Sequence, residues 1–141
     1  MNELSNLMDC YARADTDEVR LQTEDEVWTE FGVEGAVCIH DMAGFTRLTE
    51  SHGIVRYLSM VRSMHLVSEP IIERYHGKVV KFEADNCFAR FPDVQAAVQS
   101  SIAINIALDA INQMTPDDLD IHISTGIDYG RFLLIEDSGH L

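Results

Sequence analysis

Asp41 and Asp85 are the residues around which chemistry can be built. Asp41 ends the apolar run Ala36 to His40, and Asp85 follows the strand-like run Lys78-Val79-Val80-Lys81-Phe82-Glu83, the two aspartates lying 44 positions apart. Two carboxylates at strand ends, with no Cys or His at ligand spacing, favour a hard cation such as Mg²⁺ held by oxygen. Mg²⁺ takes one or two carboxylates and completes its shell with phosphate oxygens, so the pair suggests a nucleoside triphosphate or a similar ligand. Pattern alone gives the structural alternative equal standing: Asp41 caps the helix that opens at Gly44, and Asp85 serves a hairpin turn. Lys81 could neutralise phosphate or contact a base, although an alternating strand lysine is more often a solvated face residue. Glu83 has the same ambiguity and is assigned no role.

Other chemistries find little support. The six histidines contain no H-x-x-x-H pair; His65 and His76 could share a helix face, but nothing else there suggests zinc. His40, beside Asp41, reads as a strand-end packing residue. A G-x-x-x-x-G-K-[ST] phosphate loop is absent, and Ser124-Thr125-Gly126 has no G-x-S-x-G around it.

The elements that must position the aspartates follow in order. Leu4, Leu7, Met8 and Tyr11, then Val27, Trp28 and Phe31, recur at helical spacing and predict a helical lead-in over residues 1–33. A first strand runs from Ala36 to His40. A short helix begins after Gly44 and breaks at Gly53. A longer one carries the stripe Ile54, Leu58, Val61, Met64, Val67, Ile71 and Tyr75, with Pro70 expected to kink it. His76-Gly77 leads into a hairpin in which Val80 and Phe82 share one face, Lys81 and Glu83 the other, and Asp85-Asn86 forms the turn.

Asp93 is an N-cap candidate for a helix from Val94 to Ile111. Ile121, Ile123, Thr125 and Ile127 then alternate with polar residues or glycine, and Tyr129-Gly130 turns the chain into a last strand, Phe132 to Ile135. The result is an α+β, ferredoxin-like βαββαβ sandwich with an added C-terminal strand and helices on one sheet face. In that plan the first strand and the first arm of the hairpin can lie side by side, bringing Asp41 to Asp85.

At 141 residues the chain fits a single core, and 46% hydrophobic with 24% charged residues argues against disorder. A net charge of −14 disfavours nucleic acid and anionic membranes as partners. No apolar run approaches the ~20 residues of a membrane span. The start, Met1-Asn2-Glu3-Leu4, lacks the basic-then-apolar character of a signal peptide. Cys10, Cys38 and Cys87 are odd in number and outside any C-x-x-C pattern, so a reducing, cytoplasmic setting is expected.

Three segments in order resemble class III nucleotidyl cyclases, the adenylate and guanylate cyclase family. Ile39-His40-Asp41-Met42-Ala43-Gly44-Phe45-Thr46-Arg47-Leu48-Thr49-Glu50 resembles the first-strand motif. Gly77 to Asp85, continued by Phe88-Ala89-Arg90-Phe91-Pro92-Asp93, resembles the second, and Ile121 to Gly130 the next strand. The likeness runs from about Gly35 to Ile135 and defines a cyclase-like domain over residues 34–141.

The resemblance implies two metal ions, Mg²⁺ or Mn²⁺, held by Asp41, Asp85 and the carbonyl of Met42, with Asp41 and Asp85 catalytic. One ion would activate the ribose 3′-hydroxyl for attack on the α-phosphate, and the other would bind the leaving pyrophosphate. Gly44, Phe45, Thr46 and Lys81 are implied as substrate-binding residues. Lys81 matches a base-reading position: an ammonium donates to adenine N1, whereas the glutamate common in guanylate cyclases accepts from guanine. ATP is therefore expected rather than GTP. The resemblance also implies a head-to-tail homodimer in which Lys81 of one protomer serves the carboxylates of the other.

There are departures. Ala84 stands where the family usually has glycine, and His40 is unusual before the first aspartate. The later segment that supplies a second base contact, an asparagine and a basic transition-state residue is expected only beyond Leu141. Two readings follow: an adenylate cyclase represented by a C-terminally incomplete chain, or an inactive cyclase-like module that dimerises or binds nucleotide. A ferredoxin-like binding domain with coincidental motifs is the third.

Overall fold

Alternating and helical apolar patterns resolve into ten elements in the computed structural model, which describes residues 3–135. They are α1 (Glu3–Ala12), α2 (Asp17–Phe31), β1 (Gly32–Met42), α3 (Phe45–His52), α4 (Ile54–Arg74), β2 (Lys78–Glu83), β3 (Asn86–Phe91), α5 (Val94–Asn112), a 3₁₀ turn (Asp117–Leu119) and β4 (Ile123–Leu133). The chain divides into two units: residues 35–130 form one, and the residues up to Glu34 with those from Arg131 onward form the other.

In the smaller unit the lead-in is two helices rather than one. Thr16 caps α2 by accepting from the Val19 N–H at 3.3 Å, and Asp17 and Glu18 complement the first-turn dipole. The Arg131 guanidinium lies 4.5 Å from the Trp28 ring centroid, and the Leu134 N–H donates to the Phe31 carbonyl at 2.9 Å.

The larger unit holds the α+β fold. The sheet order is β2-β3-β1-β4, the ferredoxin-like arrangement, and β1 and β2 both run antiparallel to β3. β1 therefore lies beside β3, the second arm of the hairpin, and not beside the first arm as expected. The crossover through α3 and α4 skips one strand position, and the hairpin's return arm fills the gap. Asp85 still reaches Asp41 because it sits in the turn that both arms share.

Ala36, Cys38, His40 and Met42 of β1 and Cys87, Ala89 and Phe91 of β3 are buried on one sheet face. The faces of β2 follow a different rule from the expected alternation. Val79 pairs with Ala89 but Lys81 pairs with Phe88, so Val80 is the extra residue of a β-bulge. Val79 and Phe82 pack against the core, while Val80 is 48% exposed.

α4 buries Tyr57, Met60, Val61, Met64, His65, Ser68, Ile71 and Ile72, a stripe rotated from the expected one; Ile54 and Leu58 face outward. The helix runs unbroken through Pro70. Pro70 and Leu66 are both on the exposed side, where the carbonyl deprived of its N–H partner can be hydrated. His76 ends the helix in the left-handed region, φ 66°, and Gly77 N–H reaches back to the Ile72 carbonyl at 2.9 Å. Gly77 is required there, since a Cβ would lie 2.4 Å from the Phe91 ring.

Asp93 caps α5 as expected, accepting from Ala96 N–H at 2.7 Å. α5 is long and apolar enough to cross a membrane by length and composition alone; here its Ala96, Ala97, Ser100, Ile104 and Leu108 face is buried in the domain. Buried side chains such as Leu48, Met64, Ile72, Ile104 and Leu108 each contribute about 2 kcal/mol. A surface ion pair adds roughly 0.5 kcal/mol, so apolar packing rather than charge pairing dominates the stability of this layer. β4 is one continuous strand through Tyr129-Gly130, with no separate fifth strand among the described residues. A glycine can remain extended, and no neighbouring atom lies where a Gly130 side chain would begin.

Candidate active site

The carboxylates meet through backbone pairing. Asp41 lies opposite Asn86 in the β1–β3 ladder, and the Met42 N–H donates to the Asp85 carbonyl at 3.1 Å. The two side chains are within hydrogen-bonding reach of each other. The Asp41 carboxyl is held above the usual range, first by loss of water around it and then by the Asp85 charge and hydrogen bond.

Of the two structural alternatives, Asp41 caps no helix, whereas Asp85 does stand in the hairpin turn. Gly44 itself is the N-cap of α3, at φ 89°, and no side chain caps that helix. The hairpin turn is Ala84-Asp85, one residue earlier than expected, because Glu83 pairs with Asn86. Ala84 takes the left-handed position at φ 50°. Asp85 therefore stands second in the turn, and its carboxylate accepts from the Tyr57 hydroxyl at 2.8 Å.

The loop after Asp41 is pinned on both sides. Besides the Met42 bond, the Ala43 N–H donates to the His122 carbonyl at 2.9 Å. The Met42 side chain is buried. Gly44, Phe45 and Thr46 lie at the start of α3, whose first backbone amides have no intrahelical partners and suit an anion. Lys81 is not brought to the carboxylates by this fold. It sits on β2, one strand removed from β1, and pairs with Glu83 at 3.3 Å.

Three residues that sequence reasoning passed over support the site. Tyr57 is 4% exposed and packs edge-on against Phe45, ring centroids 5.0 Å apart. Burial comes first, and the Asp85 and Asp41 charges add to it, in raising the pKa of its hydroxyl, which stays a donor. Counting back four and seven positions from Val61 and Met64 would have placed it on the buried stripe. Thr125 bonds His40 Nδ1 at 2.9 Å, and Asn112 clamps Ile121 by two hydrogen bonds ahead of β4. His40 is a wholly buried packing residue, as its strand-end position suggested.

Two neighbouring carboxylates are all-oxygen donors and suit a hard divalent ion. Among the described residues no group of three or more His, Cys, Asp or Glu forms a closed metal cage.

No protein-family model matches the chain. It is 27% identical over 103 residues to "Putative adenylate cyclase 3" of Rhizobium meliloti (strain 1021), covering 73% of this chain and 17% of that protein. Its fold is similar to that of a bacterial light-regulated adenylyl cyclase (TM-score 0.65, 27% identity), over 71% of this chain and 55% of that one. It is also similar to an adenylate/guanylate cyclase/hydrolase from Silicibacter pomeroyi (TM-score 0.61, 28% identity), over 74% and 61% respectively. In sequence and in fold the chain is thus similar to adenylyl and guanylyl cyclase catalytic domains of class III. The chain spans only about half the length of the first of these solved cyclases and under a fifth of the curated relative.

Proposed function

We propose that the chain contributes the metal-binding part of a nucleotidyl cyclase catalytic domain, with ATP converted to 3′,5′-cyclic AMP and pyrophosphate. The observation that carries this reading is the main-chain bond from Met42 N–H to the Asp85 carbonyl, which makes Asp41 and Asp85 neighbours on a fold similar to that of an adenylyl cyclase. Asp41, Asp85 and the Met42 carbonyl would hold Mg²⁺ or Mn²⁺, two ions in the full site. Bound there, the ions supply Lewis-acid activation of the ribose 3′-hydroxyl and neutralise charge on the triphosphate. The chain's own part is to fix the oxygens that bind them and to offer the α3 amides of Phe45 and Thr46 to phosphate.

Lys81 belongs to the other half of the reading. It is partly exposed and on a strand away from the carboxylates of its own chain, which suits a head-to-tail homodimer in which it donates to adenine bound at its partner's aspartates. GTP is the alternative substrate, and an inactive cyclase-like module that binds nucleotide is the alternative function. A cytoplasmic setting and a domain division at residues 1–33 and 34–141 are part of the same proposal.

The test is a cyclisation assay with ATP and GTP, in Mn²⁺ or Mg²⁺, on the 141-residue chain and on any longer reading frame that contains it. Cyclic AMP formation lost in Asp41→Ala and Asp85→Ala supports the proposal. Nucleotide binding without turnover in every form would instead favour the inactive module.

A further inference from the structure

We infer that Tyr57 is the positioning residue of the carboxylate pair, one side chain that fixes both of the segments carrying the site. Its hydroxyl donates to Asp85 Oδ2 at 2.8 Å, and its ring packs edge-on against Phe45, four residues after Asp41. Asp85 stands in a two-residue turn and Phe45 opens α3, so each belongs to a short segment whose backbone alone leaves the side chain free to rotate. Tyr57 comes instead from the 21-residue α4, where Met60, Val61 and Met64 anchor the adjoining turns of the same face in the core. The long helix is thus joined to both short segments by a single residue.

Two physical consequences follow. Accepting from Tyr57 restricts rotation of the Asp85 carboxylate, so ordering it costs less when a cation arrives. Tyr57 is only 4% exposed, so the donor side of this part-buried hydrogen bond is shielded from water. Groups that orient a ligating carboxylate typically change metal affinity by about 10- to 100-fold when removed.

The inference rests on the proposed function only in placing a divalent cation at Asp41 and Asp85, and it is tested without catalysis. Mn²⁺ is titrated into the full chain, with the free-ion paramagnetic resonance signal as readout, for wild type, Tyr57→Phe, Asp85→Asn and the double variant. Tyr57→Phe keeps the ring against Phe45 and removes only the hydroxyl. It is expected to weaken Mn²⁺ binding about tenfold, and to add no further loss in the Asp85→Asn background. Unchanged Mn²⁺ affinity in Tyr57→Phe, with Asp85→Asn still weakened, would overturn the positioning role and leave the metal site standing. Wild-type binding that is absent, or insensitive to Asp85→Asn, would overturn both. Should Tyr57→Phe not fold, the Tyr57 ¹³Cζ resonance of wild type decides: a shift on adding Mg²⁺ supports the role, and a resonance unmoved by saturating Mg²⁺ contradicts it.

Discussion

Met42 donates its backbone N–H to the carbonyl of Asp85 at 3.1 Å, so the two aspartates are neighbours by main-chain pairing. Repulsion between the carboxylates cannot move the two backbones apart without breaking this bond and the adjoining β1–β3 ladder. The domain therefore carries a close carboxylate pair even when no cation neutralises it, and that costs stability.

Asp41→Asn is expected to raise the melting temperature of the metal-free protein at neutral pH. The raised Asp41 pKa means that the folded state binds its proton more tightly than the unfolded chain. Its contribution is present in acid and is lost as pH rises through the folded-state value. Thermal melts of both proteins from acid to neutral pH check this: the gain of Asp41→Asn should grow with pH, and a constant difference would contradict it.

Lowered pH acts on His40 in the opposite sense. Burial depresses its pKa from 6.5 to about 4, and its ring nitrogens face the Thr125 hydroxyl and the Cys38 thiol, at 2.9 Å and 3.5 Å. The unfolded chain takes up the proton first, so stability is intact above pH 6.5 and falls between 6.5 and about 4. A shift of that size corresponds to about 3 kcal/mol at the acid end. Urea midpoints across this range should fall steeply for wild type and less for His40→Gln; equal slopes would assign the loss to other groups.

Ala84→Gly is expected to stabilise the hairpin. Ala84 sits at φ 50°, where an L side chain costs about 1–2 kcal/mol and glycine costs nothing sterically. The extra backbone entropy of glycine offsets part of this, leaving a gain of about 1 kcal/mol. Denaturant midpoints measure it, and a loss of stability would mean that the turn relaxes around alanine.

Lys81→Glu is expected to lower the ratio of ATP to GTP turnover in any active form that contains this chain. It replaces an ammonium donor with a carboxylate acceptor and sets two acids, at positions 81 and 83, on one face of β2. An unaltered nucleotide ratio would argue against base reading by Lys81.

Much of this was legible in the residues. The aspartates, the glycines at positions 44 and 53, the Asp93 cap and the alternation before Asp128 mark the elements because each has a strong local cause. What stayed hidden was non-local. Which arm of the hairpin pairs with β1 depends on the crossover path, and no residue in either arm encodes it. Tyr57 was missed because Ile54 and Leu58 are more apolar than Tyr57, His65 and Ser68, three of the side chains that α4 buries. Those three make sense only once Asp85, Phe82 and the Met64 carbonyl are seen opposite them.

The bulge at Val80 changes how the strand counts. Lys78 and Lys81 are three positions apart, an odd step that would send them to opposite sides of a regular ribbon. With one residue set aside, Lys78 falls opposite Arg90 and Lys81 opposite Phe88, so both cations land on the side away from the helices. Deleting Val80 would keep each of these pairings and leave a simple alternation, both lysines outward and Val79 and Phe82 inward, with only the local twist of the bulge lost. A single-residue gap here should thus be tolerated by the hairpin.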